Sequence, residues 1–143
     1  MAQIVVSANA TTLVLNGYAV TDLVSGDIIT LAPINPATAH INSTSGGVNV
    51  IERSDRSVHD LTVRVQRLSG SDVFLNNALR QSPPTIFNGS LKENFNRDGT
   101  DGVESWLLES GSITTQPTKT INDEDGNALS EYVIRFRNAT RNL

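Results

Sequence analysis

The chain has 143 residues, of which 38% are hydrophobic, 5% aromatic and none cysteine, and its formal net charge is -4. This length suffices for one domain with its own core, and the lack of cysteine excludes disulfides, thiolate metal sites and a cysteine nucleophile. The acidic balance argues against a protein that grips nucleic-acid phosphates, and no apolar run approaches the ~20 residues that span a bilayer, so we expect no membrane insertion.

Short strands separated by turn signals dominate the first part of the chain. Residues 12–15 predict a strand, Asn16-Gly17 predicts a tight turn with positive φ, and residues 18–20 predict the returning strand. A second turn at residues 25–27 precedes a predicted strand at residues 28–31. This spacing is typical of an antiparallel β domain.

Residues 35–57 predict a long loop that contains one short strand at residues 48–51. Residues 1–51 contain no Lys or Arg, and their only acids are Asp22 and Asp27. Solvent-exposed surfaces normally carry more charge, whereas the centres of protein interfaces are depleted in it. Two interpretations therefore stay open: a neutral, Thr-rich β surface, or a surface that contacts another protein.

The most informative stretch is a long alternating strand at residues 58–68 that leads directly into a short helix. Alternation along a strand places successive side chains on opposite faces. One face carries the apolar residues Leu61, Val63 and Val65. The other face carries Thr62, Arg64 and Gln66, and nothing in a lone domain explains a polar face of this length.

The only convincing helix covers about residues 71–82. Ser69 or Ser71 is a suitable N-cap, and Asp72 lies near the positive end of the helix dipole. Leu75, Ala78 and Leu79 recur at helical spacing and form the predicted buried stripe. Two prolines at positions 83 and 84 prevent the helix from continuing.

The remaining residues predict turns followed by two further strands. Residues 85–102 are rich in turn signals, with Asn88-Gly89 and Asp98-Gly99 as the strongest dipeptides. A strand at residues 103–108 contains the only Trp, and residues 113–116 extend it across Gly111. An acidic hairpin tip at residues 122–127 precedes the last strand, residues 131–137. In that strand Tyr132, Ile134 and Phe136 face one side, and Glu131, Arg135 and Arg137 face the other.

These elements predict a single, mainly β domain over residues 1–143, a sandwich or partial barrel with one helix packed on it. We expect the helix stripe to pack on Leu61, Val63 and Val65. The three arginines of the polar faces, Arg64, Arg135 and Arg137, have Glu131 and Asp60 as possible cross-strand partners.

Residues that carry chemistry are few. His59 and Asp60 are adjacent on a strand and point to opposite faces, so they cannot form part of a catalytic triad. Residues 94–104 resemble a calcium loop, but the first position is Asn94, Glu104 closes the loop one residue early, and no helices flank it. We therefore expect neither an enzyme nor a cofactor.

The order of these segments resembles the tail tube proteins of tailed bacteriophages, in particular those with contractile tails. The resemblance covers most of the chain and depends on the hairpin, the strand of residues 28–31, the Ser/Gly-rich loop, the strand-to-helix stretch, the Trp strand and the terminal strand. It implies hexameric rings that stack into a hollow tube for DNA ejection, with strands of neighbouring subunits closed into one continuous barrel. It also implies a location in the virion tail after assembly in the host cytoplasm.

The resemblance implies a role for each face. Barrel closure would remove exposed strand edges, and the polar faces would line the lumen, with the candidates Thr62, Arg64, Gln66, Glu131 and Arg135. The long loop would reach the adjacent ring through the candidates His40, Ile41, Asn42, Ser43, Thr44 and Ser45. The expected partners are further copies of the chain and the sheath, tape measure, baseplate and terminator proteins. DNA would pass through the tube without specific binding.

Two alternatives remain open. One is a tube initiator, tail terminator or baseplate protein with the same fold. The other is a calcium-dependent β-sandwich binding module, for which residues 94–104 are the only support.

Overall fold

The computed structural model describes residues 3–6, 11–24, 29–120, 123–124 and 129–143. Within these residues the chain forms strands and one short helix. The first strands are β1 (Ile4–Val6), β2 (Thr12–Leu15), β3 (Tyr18–Val20), β4 (Ile29–Pro33), β5 (Thr38–Asn42), β6 (Val48–Glu52) and β7 (His59–Gln66). The helix α1 (Gly70–Leu79) follows, and then the long strands β8 (Phe87–Arg97), β9 (Thr100–Thr115) and β10 (Leu129–Asn142).

Most strands belong to one antiparallel sheet with the order β3-β2-β8-β9-β10-β7-β4, and β1 pairs with the far end of β8. The strands β5 and β6 form a separate two-stranded hairpin. This architecture confirms the predicted fold class, since the described part of the chain is mainly β with one helix and its sheet is open. Among the described residues, β4 lies at one edge of the open sheet, and β3 and β1 lie at the other.

The hydrophobic core lies on one face of the sheet, under the helix. Leu61, Val63 and Val65 of β7 are fully buried, as is Leu75 of the helix. Ala78 and Leu79 are partly buried and pack against the same cluster. Phe74 also packs there, and its ring stacks on Tyr18 of β3 with the ring centroids 4.2 Å apart. The helix therefore ties β7 to the hairpin of β2 and β3.

The helix begins after Ser69, whose side chain accepts a hydrogen bond from the backbone N–H of Asp72. It ends at Leu79 with Arg80 as the C-cap, three residues earlier than the predicted end at residue 82. A residue that precedes a proline disfavours the helical conformation, which applies here to Ser82. The helix ends before it reaches that residue. The Ser82–Pro83 peptide bond is cis.

The predicted turn-rich region at residues 85–102 is wrong for most of its length, because residues 87–97 form the strand β8. Asp98 and Gly99 do form its turn, with φ of 52° and 83°. Asn88 and Gly89 instead lie inside the sheet. A Cβ atom on Gly89 would lie 1.9 Å from the backbone oxygen of Val14, so this glycine allows β2 to approach β8 closely.

The predicted loop at residues 35–57 is largely ordered as the hairpin of β5 and β6. The register pairs Thr38 with Glu52 and Asn42 with Val48, which includes the predicted strand at residues 48–51. The candidate residues His40, Ile41 and Asn42 therefore lie on β5, and Ser43, Thr44 and Ser45 lie in the turn. The loop signal was correct for the turn alone, because polar composition does not report the pairing of two short strands.

Other local predictions have mixed outcomes. The turn at Asn16-Gly17 is confirmed, with φ of 49° and 81° and Leu15 paired with Tyr18. The extension of the Trp strand across Gly111 is confirmed as far as Thr115. The predicted turn at residues 25–27 and most of the acidic tip at residues 122–127 lie outside the described residues. In the described part of the chain, no helix is long and apolar enough to cross a membrane.

Candidate assembly surfaces

The face of the sheet opposite the core is polar along β7 and β10. The register pairs Glu131 with Arg64, Val133 with Thr62 and Arg135 with Asp60. Because directly paired residues of antiparallel strands share a face, these side chains and Gln66 form one surface, which we call the polar face. The five lumen candidates Thr62, Arg64, Gln66, Glu131 and Arg135 all lie on it.

Two cross-strand ion pairs neutralise most of the charge on the polar face. The guanidinium of Arg135 donates hydrogen bonds to both carboxylate oxygens of Asp60, at 2.9 and 3.2 Å. These hydrogen bonds raise the pKa of Arg135 above its ordinary value. The Nε atom of Arg64 lies 3.8 Å from Glu131, which is an ionic contact too long for a hydrogen bond. The predicted pairing of arginines with Asp60 and Glu131 is confirmed for Arg135 and Arg64.

Arg137 continues the same face one step further along β10. Its side chain is exposed beside an open cleft that is also lined by Ser54, Asp55, Ser57 and Ser110. The carboxylate of Asp55 is held by Arg53 at 2.9 and 3.0 Å, and this hydrogen bonding lowers the pKa of Asp55. Within the described residues, no carboxylate contacts the guanidinium of Arg137, so the polar face carries one cation beyond its paired charges.

The hairpin of β5 and β6 projects from the end of the β4–β7 pair. The backbone pairing of β4 with β7 continues past Pro33 and His59. There the N–H of Ile34 donates to the oxygen of Val58, and the N–H of Arg53 donates to the oxygen of Ala37. The apolar residues of the hairpin are about half exposed, namely Ile41, Val48, Val50 and Ile51. Alternation places Ile41 and Ile51 on one face and Val48 and Val50 on the other. Each face of this hairpin therefore carries two exposed apolar side chains beside polar ones in the lone chain.

A second projecting ribbon was not anticipated from the sequence. It consists of β1, residues 94–97 of β8 and residues 100–107 of β9, and we call it the tip ribbon. β1 pairs with β8 through Ile4–Arg97 and Val6–Phe95. Its exposed apolar residues are Ile4, Val5, Val6, Val103 and Leu107. The run of three β-branched residues at positions 4–6 was the available signal for this strand.

Hydrogen bonds between partly exposed side chains connect the strands at the base of the tip ribbon. The indole N–H of Trp106 and the guanidinium of Arg141 both donate to Glu104, at 3.1 and 3.2 Å. The hydrogen bond from Arg141 is the main reason why the pKa of Glu104 is lowered. The ring of Trp106 also contacts the buried His59 edge-on. This cluster joins β9 to β10 where the ribbon leaves the body of the sheet.

The side chains that suggested catalysis or calcium binding make hydrogen bonds within the fold. His59 lies on the core face, with Nδ1 2.9 Å from the backbone oxygen of Ser57, whereas Asp60 lies on the polar face. In the calcium-like segment, the side chain of Asn96 bonds Asp101 and the backbone N–H of Gly99. Among the described residues, no group of three or more His, Asp or Glu side chains is placed to hold a metal ion.

Comparison with solved structures shows which fold this sheet and helix form. One match is a chain of the sheath–tube complex of PVC, an extracellular contractile injection system, in its extended state, with a TM-score of 0.65 and 12% identity. It covers 96% of this chain and 90% of the matched chain. The chain therefore has the fold found among components of contractile injection systems.

Two further matches have the same fold and are described as the ends of tubes. The anti-feeding prophage cap, a tube-terminating cap, matches with a TM-score of 0.63 and 16% identity, over 98% of this chain and 92% of that one. The PVC sheath/tube terminator in the extended state matches with a TM-score of 0.59 and 11% identity, over 96% of both chains. No protein-family model matches the sequence, and no curated protein matches it.

Proposed function

We propose that this protein is a structural, non-enzymatic tail component whose subunits, each a single domain over residues 1–143, form hexameric rings. In this proposal the rings stack into the tube of a contractile bacteriophage tail, and DNA is ejected through its lumen. The observation that carries the proposal is the two-sided sheet, which has a helix-covered core face and a long, nearly neutral polar face.

The open sheet supports ring closure. Its edge strands β3 and β4 present unpaired backbone groups, and edges of this kind pair readily with another chain. If neighbouring subunits meet edge to edge, the sheets form one continuous barrel and the unpaired groups are satisfied. The core face and its helix then lie outside, and the polar face lies inside.

The charge pattern of the polar face suits a conduit for DNA. Lysine and arginine side chains that meet phosphates release counterions and hold the DNA. Because Arg135 and Arg64 are already paired with Asp60 and Glu131, they offer little attraction to a passing phosphate. Within the proposal, Thr62, Arg64, Gln66, Glu131 and Arg135 line the lumen, and DNA passes without specific binding.

The hairpin of β5 and β6 supports stacking of rings. It projects from one end of the sheet, and its segment from Thr38 to Ile51 contains no Lys, Arg, Asp or Glu. Its turn and the neighbouring candidates are exposed, namely His40, Ile41, Asn42, Ser43, Thr44 and Ser45. We propose that this hairpin contacts the adjacent ring, where its apolar residues become buried.

A tube-ending ring is the second candidate, because two of the similar structures are described as a cap and a terminator. A terminator or initiator forms the same kind of ring but does not add further rings of its own kind. In either version the proposed partners are the tail sheath, the tape measure protein, the baseplate and the terminator. The proposed location is the virion tail, with assembly in the host cytoplasm.

Electron microscopy of the purified protein tests the proposal. We expect hollow, sixfold rings, and long tubes if the protein is the repeating tube subunit. Single rings that never elongate would favour the tube-ending role. A compact monomer at every concentration, combined with absence from virions, would refute both versions.

A shortened hairpin tests the stacking role. Because the backbone N–H of Arg53 donates to the oxygen of Ala37, residues 38–52 can be replaced by Asn-Gly, which closes such a hydrogen-bonded pair with a two-residue turn. We expect this variant to keep the thermal stability of the parent chain and to lose stacking. Long tubes from the shortened protein would show that the hairpin has no role between rings.

A further inference from the structure

Most of the large apolar side chains that are exposed in the described residues lie on two ribbons, the hairpin of β5 and β6 and the tip ribbon. Scattered single apolar residues on a surface are ordinary, but contiguous patches indicate a partner. The exposed apolar residues of the hairpin are Ile41, Val48, Val50 and Ile51. Those of the tip ribbon are Ile4, Val5, Val6, Val103 and Leu107.

The two ribbons project from the same end of the sheet. Pro33, His59, Phe136 and Gly111 lie in one row across β4, β7, β10 and β9, because each is paired with the next. The hairpin begins beyond this row. From Gly111 back to Thr100, β9 extends on the same side of this row as the hairpin. That length of strand is roughly 36 Å at about 3.3 Å per residue. The tip ribbon is at its far end.

The two ribbons also lie at opposite lateral edges of the sheet. The hairpin continues the edge pair of β4 and β7, whereas β1 lies on the side of β8 that is turned away from β9. β10 therefore separates the hairpin from the tip ribbon within one chain. The described part of the hairpin pairs only within itself, and β1 pairs only with β8.

We propose that the hairpin of one subunit packs laterally against the tip ribbon of the next copy in the same ring. This inference rests on the ring of the proposed function and names the contact that closes it. When copies stand side by side in one orientation, the β4 edge of one meets the β1 edge of its neighbour, and both ribbons lie at one end. Head-to-tail stacked rings cannot make this contact, because stacking joins opposite ends of the subunits.

This lateral contact explains why the hairpin carries exposed apolar side chains on both faces. A strand pair that covers a single surface needs only one apolar face. Ile41 and Ile51 lie on one face of the hairpin, and Val48 and Val50 lie on the other. One face contacts the tip ribbon of the lateral neighbour, and the other remains for the adjacent ring. The contact is heterologous, so it propagates from copy to copy, and it closes a ring when the rotation between neighbours closes.

Disulfide cross-linking tests the contact without background, because the chain contains no cysteine. Two double variants sample both hairpin faces, Val5→Cys with Ile51→Cys and Val5→Cys with Val50→Cys. A matched control combines Val5→Cys with Val73→Cys, since Val73 is similarly exposed but lies on the helix. Each protein is oxidised mildly, and also treated with a short bismaleimide that tolerates a few ångströms of misfit.

We expect one of the two hairpin variants to give a covalent ladder that stops at the ring number, while the control and the single-cysteine variants stay monomeric in denaturing gels. Rings in the microscope without a ladder from either variant would overturn this contact and leave the proposed function standing. Disulfides confined to single chains, or dimers alone, would also overturn it. A monomer at every concentration would remove both the ring and the contact.

Discussion

The hydroxyl of Tyr132 donates a hydrogen bond of 2.7 Å to Oδ1 of Asp72 and thereby joins the last strand to the first turn of the helix. The other carboxylate oxygen of Asp72 accepts hydrogen bonds from the hydroxyl of Ser130 and the backbone N–H of Leu68. One carboxylate thus connects β10, the end of β7 and α1. Tyr132 is 1% exposed, so this connection lies at the edge of the core.

Replacing Tyr132 with Phe removes the hydrogen bond and keeps the ring. A hydrogen bond to a charged acceptor contributes about 1.5–3 kcal/mol, so we expect the free energy of unfolding to fall by that amount. Asp72→Ala should cost at least as much, because it leaves the buried hydroxyl without its acceptor. Urea denaturation of both variants measures the effect, and a Tyr132→Phe variant as stable as the parent would show that the contact contributes nothing.

The same tyrosine predicts how stability depends on alkaline pH. Burial, reinforced by the hydrogen bond to Asp72, raises the pKa of Tyr132 above its ordinary value. The unfolded chain releases the phenol proton near pH ~10 and the folded chain retains it. This group's contribution is therefore complete below pH ~10 and declines above it, by up to about 1.4 kcal/mol per pH unit.

Comparing the parent with Tyr132→Phe between pH ~8 and pH ~11 isolates that effect. The parent should lose stability more steeply than the variant once the pH exceeds about 10. Parallel curves for the two proteins would contradict a raised pKa at Tyr132.

Gly89 should tolerate no side chain, because a Cβ atom there would lie 1.9 Å from the backbone oxygen of Val14. Relief requires β2 to move away from β8, so we expect Gly89→Ala to cost about 3 kcal/mol or more. Gly99→Ala is the matched control, since nothing lies within 4 Å of its Cβ position and only its φ of +83° opposes the change. The control should cost about 1–2 kcal/mol, and equal losses would show that the close approach at Gly89 is unimportant.

Leu75 and Leu68 offer a test of the core under the helix. Leu75 is fully buried against the sheet, whereas Leu68 is 78% exposed. Leu75→Asp places an unpaired charge in the core and should prevent folding. Leu68→Asn makes the exposed position polar without a second carboxylate beside Asp72, and it should change the free energy of unfolding by less than about 0.5 kcal/mol. Circular dichroism and a thermal melt distinguish the two, and a folded Leu75→Asp protein would contradict the packing.

The paired charges of the polar face predict opposite effects of two substitutions on DNA. Asp60→Asn leaves Arg135 without its carboxylate, and Arg135→Gln leaves Asp60 without its cation. Exposed pairs add little stability, so both melting temperatures should stay within about 3 °C of the parent. Assembled Asp60→Asn tubes should bind DNA more tightly than the parent, with a steeper salt dependence, and Arg135→Gln tubes should bind it more weakly. Fluorescence anisotropy with labelled duplex measures this, and indistinguishable affinities would argue against a neutral lumen wall.

Alternation along the strands could be read from the sequence because it is a local property of the extended backbone. The core face of β7 carries Leu61, Val63 and Val65, and the opposite face carries Thr62 and Arg64. Both central residues of the Asn16-Gly17 turn have positive φ. The same alternation placed Asp60 among the possible partners of Arg135, and the register of β10 with β7 decided that it is the partner. Each of these features depends on residues close together in the sequence, or on which face of its strand a side chain occupies.

The sequence by itself determined which residues are apolar in which period, and hence a mainly β domain with a polar strand face and one helix. Only the tertiary structure decided that residues 87–97 form a strand, since Gly89 is set by the approach of Val14 and not by a turn. It also decided that residues 4–6 pair with that strand and that residues 38–52 form a hairpin at the same end of the sheet. These features depend on register between distant segments, which local periodicity does not encode.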